Sequence, residues 1–211
     1  MAENTKIVVM ASGSGTVLQS LLDAELPITA VVTDRECRAE LIAKTHGIHV
    51  IRVGRDTFEA RFDRETYTKE LLAVLIKLAP DLVAMAGFGT VLHRGFEDSF
   101  RNRILNTHPS LLPEFKGWHA VRDALAAGVT VTGCTIHVAT SELDAGPILF
   151  RQEIAIAAGE SEESLHEKIK EVERWTYSRV IRKFIDSGFR VWDTPLNCED
   201  LKNDWRIEEN R

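Results

Sequence analysis

The stretch "KIVVMA" at 6–11 constrains the fold more than any other feature of the chain. After its lysine it is an uninterrupted apolar run. A strand of this kind is buried on both faces, as inside a parallel sheet with helices above and below. The glycine turn "SGSGT" follows at once, then a helix with Val17, Leu18, Leu21 and Leu22 at helical spacing. "PITAVVTD" (27–34) reads as a second strand, "CRAELIAKTHG" as a second helix closed by Gly47, and "IHVIRV" (48–53) as a third strand. Residues 64–79 place Tyr67, Leu71, Val74, Leu75 and Leu78 on one helical face and stop before Pro80. "DLVAMAGF" (81–88) and "RILNTHP" (103–109) are the fourth and fifth strands.

Strand and helix alternating over short connections mean βαβ units and a mainly parallel sheet. After residue 128 the pattern changes. "VTVTGCTIHVAT" alternates cleanly, with Cys134, Ile136 and Val138 on one face and Thr135 and His137 on the other. "GPILFRQEIAI" (146–156) is another strand. A long helix follows Ser161, with Leu165, Ile169, Val172, Thr176 and Val180 along its inner stripe, and stops at Gly188. The expected architecture is a single-domain α/β fold: a Rossmann-like open sheet, mostly parallel in its N-terminal half, with mixed C-terminal strands and a long C-terminal helix. That domain covers 1–188. Residues 189–211 lack periodicity, are rich in charge, and read as a tail pinned by Trp192 or Trp205.

At 211 residues the chain is long enough to bury a real core. A formal net charge of −6 argues against a nucleic-acid backbone as the main ligand, because such binders carry a basic excess. A small anionic metabolite held by local backbone donors fits that charge. Cys37, Cys134 and Cys198 are far apart and form no CxxC pair, which suits a reducing compartment and gives neither a disulfide framework nor a metal site. The first apolar run is too short for a signal peptide or a membrane span, so the chain reads as cytoplasmic.

"SGSGT" (12–16) lies between a strand and a helix, where open α/β sheets bind ligands and helix N-terminal N–H groups favour a phosphate. Asp34, at the end of the second strand, invites a dinucleotide reading with the acid on a ribose. The fingerprint fails, however: Leu18 stands where the third glycine belongs, and there is no Walker lysine. Two readings stay open here, one phosphate of a smaller ligand and a plain tight turn.

In "RILNTHP", Asn106 and His108 leave the same face of a strand that Pro109 ends. His119, His137 and Asp144 are further polar groups at strand ends, on strand faces or in turns. An aspartate beside an imidazole favours its charged, donating form, and an amide can steady a developing oxyanion. Satisfied structural histidines are the plainer reading of the same residues. No spacing supports zinc, and no nucleophile elbow or reactive cysteine is present. Chemistry at such a site is direct transfer between bound partners, without a covalent enzyme intermediate.

"ILNTHPSLLPEFKGWHA" followed by "LDAGP", and preceded by "SGSGT" and "AGF", resembles the formyltransferases that use 10-formyltetrahydrofolate, in colinear order from about residue 6 to 188. In that family the Asn and His grip and polarise the formyl group between folate and acceptor amine. The resemblance therefore implies His108 as general acid, Asp144 raising its pKa, Asn106 donating to the formyl oxygen, and His137 as a further catalytic group. It implies 5'-phosphoribosylglycinamide, an intermediate of purine synthesis, as acceptor. Gly15, Thr16 and Val17 would cradle its phosphate, and Lys170, Glu171, Val172 and Glu173 would reach the rest of it. For the folate it implies Arg64, the backbone of Gly89, Thr90, Val91 and Leu92, Asn106, and the loop Thr140, Ser141, Glu142, Leu143 and Asp144. No metal, nucleic acid or membrane is implied, and the expected state is a monomer or homodimer. Three features depart from the family pattern: Val17 replaces the usual Asn, Gly89–Thr90 stands where Met-Arg is common, and Trp175 and Ser178 alter the surroundings of Tyr177. The rival readings are a formyl-folate hydrolase using the same residues on water and a non-catalytic nucleotide- or folate-binding module.

Overall fold

The computed structural model describes residues 5–55, 57, 62–93 and 95–208. In chain order the elements are β1 (Ile7–Ala11), α1 (Thr16–Asp23), β2 (Ile28–Thr33), α2 (Arg38–Thr45), β3 (His49–Arg52), α3 (Arg64–Leu78) and β4 (Leu82–Met85). There follow α4 (Phe96–Ser99), β5 (Ile104–His108), α5 (Ala120–Ala126), β6 (Val131–Val138), β7 (Ile148–Ala155), α6 (Glu162–Asp186) and α7 (Cys198–Glu208). The strands form one sheet in the order β3-β2-β1-β4-β5-β6-β7. Neighbours from β3 to β5 pair in parallel, and β6 and β7 are antiparallel additions. This is the architecture expected from the sequence.

β1 shows why an unbroken apolar run was needed. Ile7, Val9 and Ala11 point into the core under α1 and α6, while Val8 and Met10 point into a second core under α3. All five are shielded from water. Because β1 sits between β2 and β4, the chain leaves β1 toward one face and reaches β4 from the other. That divergence opens a crevice at the carboxyl ends of the two strands, the usual ligand position in such a sheet.

The long helix α6 starts at Ser161, whose side chain accepts from Ser164 N–H as an N-cap. Its inner stripe reaches the sheet through Leu165, Ile169, Tyr177 and Val180. The Tyr177 hydroxyl is fully enclosed and shared between the carbonyls of Leu105 (2.9 Å) and Met85 (3.2 Å), which fastens α6 to the ends of β4 and β5.

Two features differ from the sequence reading. The short helices α4 and α5 are too brief for periodicity to reveal. Residues 189–203, expected as part of a charged tail, are packed: Trp192 Nε1 donates to Leu149 O at 2.8 Å, Leu196 bridges to Phe150, and α7 lies against α6 through buried Leu201. A few apolar anchors spaced among many charges were enough to dock this segment. The expected pin at Trp192 is present, and the side chain of Trp205 lies outside the described residues. No described helix is long and apolar enough to cross a membrane.

Candidate active site

A cavity of about 510 Å³ opens at the carboxyl ends of β1, β4 and β5. Its polar centre is assembled by strand register. β5 and β6 place Asn106 opposite His137, and Asn106 Nδ2 lies 3.3 Å from His137 Nε2. His137 Nδ1 is 3.1 Å from the Val138 carbonyl, which can only accept, so Nδ1 carries the proton and Nε2 accepts from the amide. Burial of the ring holds its pKa below the usual histidine value, against the pull of Asp144. The contact orients the Asn106 amide and leaves its second N–H for a ligand.

His108 is anchored differently. Its Nε2 is 2.8 Å from the Phe115 carbonyl and donates to it, which leaves Nδ1 on the side of Asp144, 3.4 Å from its Oδ2. The segment "PSLLPEF" sets that carbonyl. Thr135 Oγ1 donates to Ser110 O at 2.6 Å and accepts from Leu112 N at 3.1 Å, Ser110 Oγ donates to Glu114 O, and Arg151 donates to Leu112 O. Asp144 adopts φ +48°, a left-handed conformation that aspartate tolerates better than most residues, and Gly117 N–H donates to its Oδ2 at 2.8 Å. Its Oδ1 stands 3.6 Å from His137 Nε2, so one carboxylate faces both rings.

At another end of the cavity, α1 begins without a side-chain cap and with no acid in its first turn. Its first N–H groups are therefore open donors at the positive end of the helix dipole. Gly15 makes this possible. It sits at φ +73°, and a Cβ there would lie 2.9 Å from Ala39 Cα and 2.8 Å from Ile42 Cδ1. From α6, Lys170 and Glu173 face the same space. Glu173 is almost completely buried, and burial pushes its carboxyl up to about 7, with the Thr107 hydroxyl and Lys170 opposing. The rim carries three exposed apolar side chains, Val91, Trp118 and Leu143.

A formyl transferase family model matches residues 5–181 of the chain. The chain belongs to the formyl transferase family. It is 44% identical over 191 residues to the phosphoribosylglycinamide formyltransferase of Mycobacterium tuberculosis, covering 88% of this chain and 87% of that protein. With the enzyme of the same name from Escherichia coli it shares 33% identity over 192 residues, covering 88% and 89%. A solved glycinamide ribonucleotide transformylase from Symbiobacterium toebii superposes with a TM-score of 0.80 at 33% identity, over 89% of this chain and 90% of that one.

Of the formyl transferase residues expected from the sequence, Gly15, Thr16, Val17, residues 89–92, Asn106, His108, His137, residues 140–144, Lys170 and Glu173 all line this one cavity. Three do not. Arg64 is exposed at the start of α3, Glu171 is exposed, and Val172 packs toward the core. Asp34, the residue that invited a ribose, is not available for one. Its carboxylate is fully enclosed and bound by Arg35 (2.9 and 3.0 Å), Thr90 (2.9 Å) and Ser12, and these bonds hold its pKa below the ordinary carboxylate value despite burial.

Sequence reasoning missed two contributors. His166 lines the cavity and shares the α6 face of Lys170 and Glu173, so the i, i+4, i+7 spacing was its signal. The Phe115 carbonyl that anchors His108 is a backbone atom, and no side-chain pattern announces it.

Proposed function

We propose that the protein transfers the formyl group of 10-formyltetrahydrofolate to the glycine amine of 5'-phosphoribosylglycinamide, a step of purine synthesis carried out in the cytoplasm. The observation that carries this reading is one cavity with a phosphate-ready helix start at one end, an Asn–His–Asp centre, and an apolar rim suited to an aromatic co-substrate. The ribonucleotide phosphate rests on the N–H groups of Gly15, Thr16 and Val17, with no side-chain donor from Val17. Glu173 and Lys170 meet the remainder of that substrate. The folate lies along residues 89–92 and 140–144.

The amine attacks the formyl carbon and a tetrahedral oxyanion develops. The free N–H of Asn106 donates to it. As the intermediate collapses, the bond from the formyl carbon to the folate nitrogen breaks, and His108 Nδ1 gives that departing nitrogen its proton. The attacking amine gives up one proton to water, so tetrahydrofolate and the formylated ribonucleotide leave. Asp144 faces His108 Nδ1 and balances the positive ring. Aimed donors of this kind contribute about 3–4 kcal/mol each to such a transition state. The elements of the site are held before substrate arrives, because His137 orients the amide and the Phe115 carbonyl orients the imidazole.

The test is release of tetrahydrofolate from 10-formyltetrahydrofolate, followed spectrophotometrically with and without the ribonucleotide. Release that depends on the ribonucleotide supports the transferase. Equal release without it makes water the acceptor, and binding without release makes the protein a binding module.

A further inference from the structure

The glycine loop after β1 and the loop after β4 approach from different strands, yet they are laced together beneath the cavity. Ser12 N–H donates to the Gly87 carbonyl at 3.2 Å, and Gly89 N–H donates to Ser12 Oγ at 2.8 Å. Ser12 Oγ also bonds to the Asp34 carboxylate, and Thr90 Oγ1 donates to Asp34 Oδ2 at 2.9 Å. Arg35 clamps the same carboxylate through Nε and Nη2. Neither Ser12 nor Asp34 lines the cavity, whereas Gly89 and Thr90 do, so the carboxylate lies behind the loops it joins.

We infer that Asp34 is a positioning residue that sets both ligand-binding loops at once, so that a change in one loop alters affinity at the other. The inference rests on the functional reading above, which gives residues 13–17 to the ribonucleotide phosphate and residues 89–92 to the folate. The physical argument is that an enclosed carboxylate must keep its donors, because losing one leaves charge without compensation. Removing Thr90's hydroxyl makes Asp34 draw on Ser12 and Arg35. Ser12 in turn holds Gly89 N–H, and its own backbone begins the turn that presents Gly13 to Val17. The carboxylate thus fixes the spacing between the two loops, where each loop alone is an irregular segment.

The experiment is isothermal titration of the full chain with 5'-phosphoribosylglycinamide and, separately, with tetrahydrofolate. Thr90→Val, Thr90→Ser and Ser12→Ala are compared with the unaltered protein, with melting curves for all. Thr90→Val is expected to weaken the ribonucleotide about three- to tenfold, in the lower part of the range for groups in one hydrogen-bond network, although position 90 lies in the other loop. Thr90→Ser keeps the hydroxyl and restores affinity. Ser12→Ala weakens tetrahydrofolate by a similar factor, and it carries the test alone if Thr90→Val fails to fold. Variants that each weaken only their own loop's ligand overturn the inference. If the unaltered protein binds neither compound, the functional reading itself fails and the inference falls with it. Binding of both compounds by the unaltered protein separates the two failures.

Discussion

Asn106 and His137 face each other across the β5–β6 pair, with the amide nitrogen 3.3 Å from the imidazole Nε2. That bond decides which end of the amide meets the cavity. If His137 acts only by orienting Asn106, then His137→Phe lowers kcat about 10- to 100-fold with both KM values little changed. Adding Asn106→Ala to that variant should then cost almost nothing more. Additive losses in the double variant would show that His137 acts by another route.

His108 and Asp144 are expected to carry the proton chemistry. His108→Ala and Asp144→Ala each lower kcat about 10²- to 10³-fold while calorimetry still detects binding of both substrates. Asp144→Asn keeps an oxygen for Gly117 N–H and loses the charge, so its stability should match the parent while its kcat does not. Near-normal turnover in His108→Ala would remove that residue from the mechanism.

Glu173 gives a pH signature. Its carboxyl is pushed from the ordinary 4.5 to about 7 by burial. The unfolded chain therefore loses this proton at lower pH than the fold does, and stability falls as pH rises from about 4.5 to 7, by on the order of 3 kcal/mol. Below 4.5 both states are protonated and the loss disappears. Glu173→Gln should flatten this slope in denaturant titrations across that window. Ribonucleotide affinity moves the opposite way, rising through about pH 7 as the carboxylate becomes an acceptor for hydroxyl groups. The glutamine variant should lack that step, and an identical step in both proteins would assign it to the substrate phosphate.

Gly15→Ala tests the phosphate loop. The new methyl meets Ala39 and Ile42 of α2 below 3 Å, at a φ that disfavours any side chain. The variant should lose about 1–3 kcal/mol in chemical denaturation and bind the ribonucleotide more weakly. Unchanged stability would mean that the loop moves freely away from α2.

Gly89 and Trp118 should behave as a pair. A Cβ on Gly89 would stand 2.8 Å from the outer ring carbon of Trp118, so the indole occupies space that any larger residue would claim. Gly89→Met is expected to raise the KM for the folate co-substrate several-fold in the parent, and to do so much less in a Trp118→Ala background. The same increase in both backgrounds would mean that the indole is not what the new side chain displaces.

The alternation of strand and helix was legible because it rests on local pattern: the apolar run at β1, the Ser161 cap, the stop at Pro80. Asn106 and His108 were legible because the i, i+2 rule puts them on one face. The partners of those residues were harder. Phe115 acts through its carbonyl, and His137 meets Asn106 only because β6 pairs in one particular register. Asp34 looked like a ligand-binding acid because it ends a strand, but its neighbour Arg35 and the distant Thr90 absorb its charge. Arg64 was placed by analogy of position, and position along the chain does not say where a long exposed side chain ends.

The clasp of the Tyr177 hydroxyl on the carbonyls of Leu105 and Met85 also sets a timetable for synthesis. The glycine loop leaves the ribosome before Asn106, and Glu173 arrives only with α6. Until that helix docks, the ribonucleotide end of the cavity is unfinished, so that ligand cannot guide the nascent chain. A polypeptide cut short before α6 would leave Ile7, Val9 and Leu105 without their cover, an apolar face of the kind that chaperones and proteases recognise as unfinished.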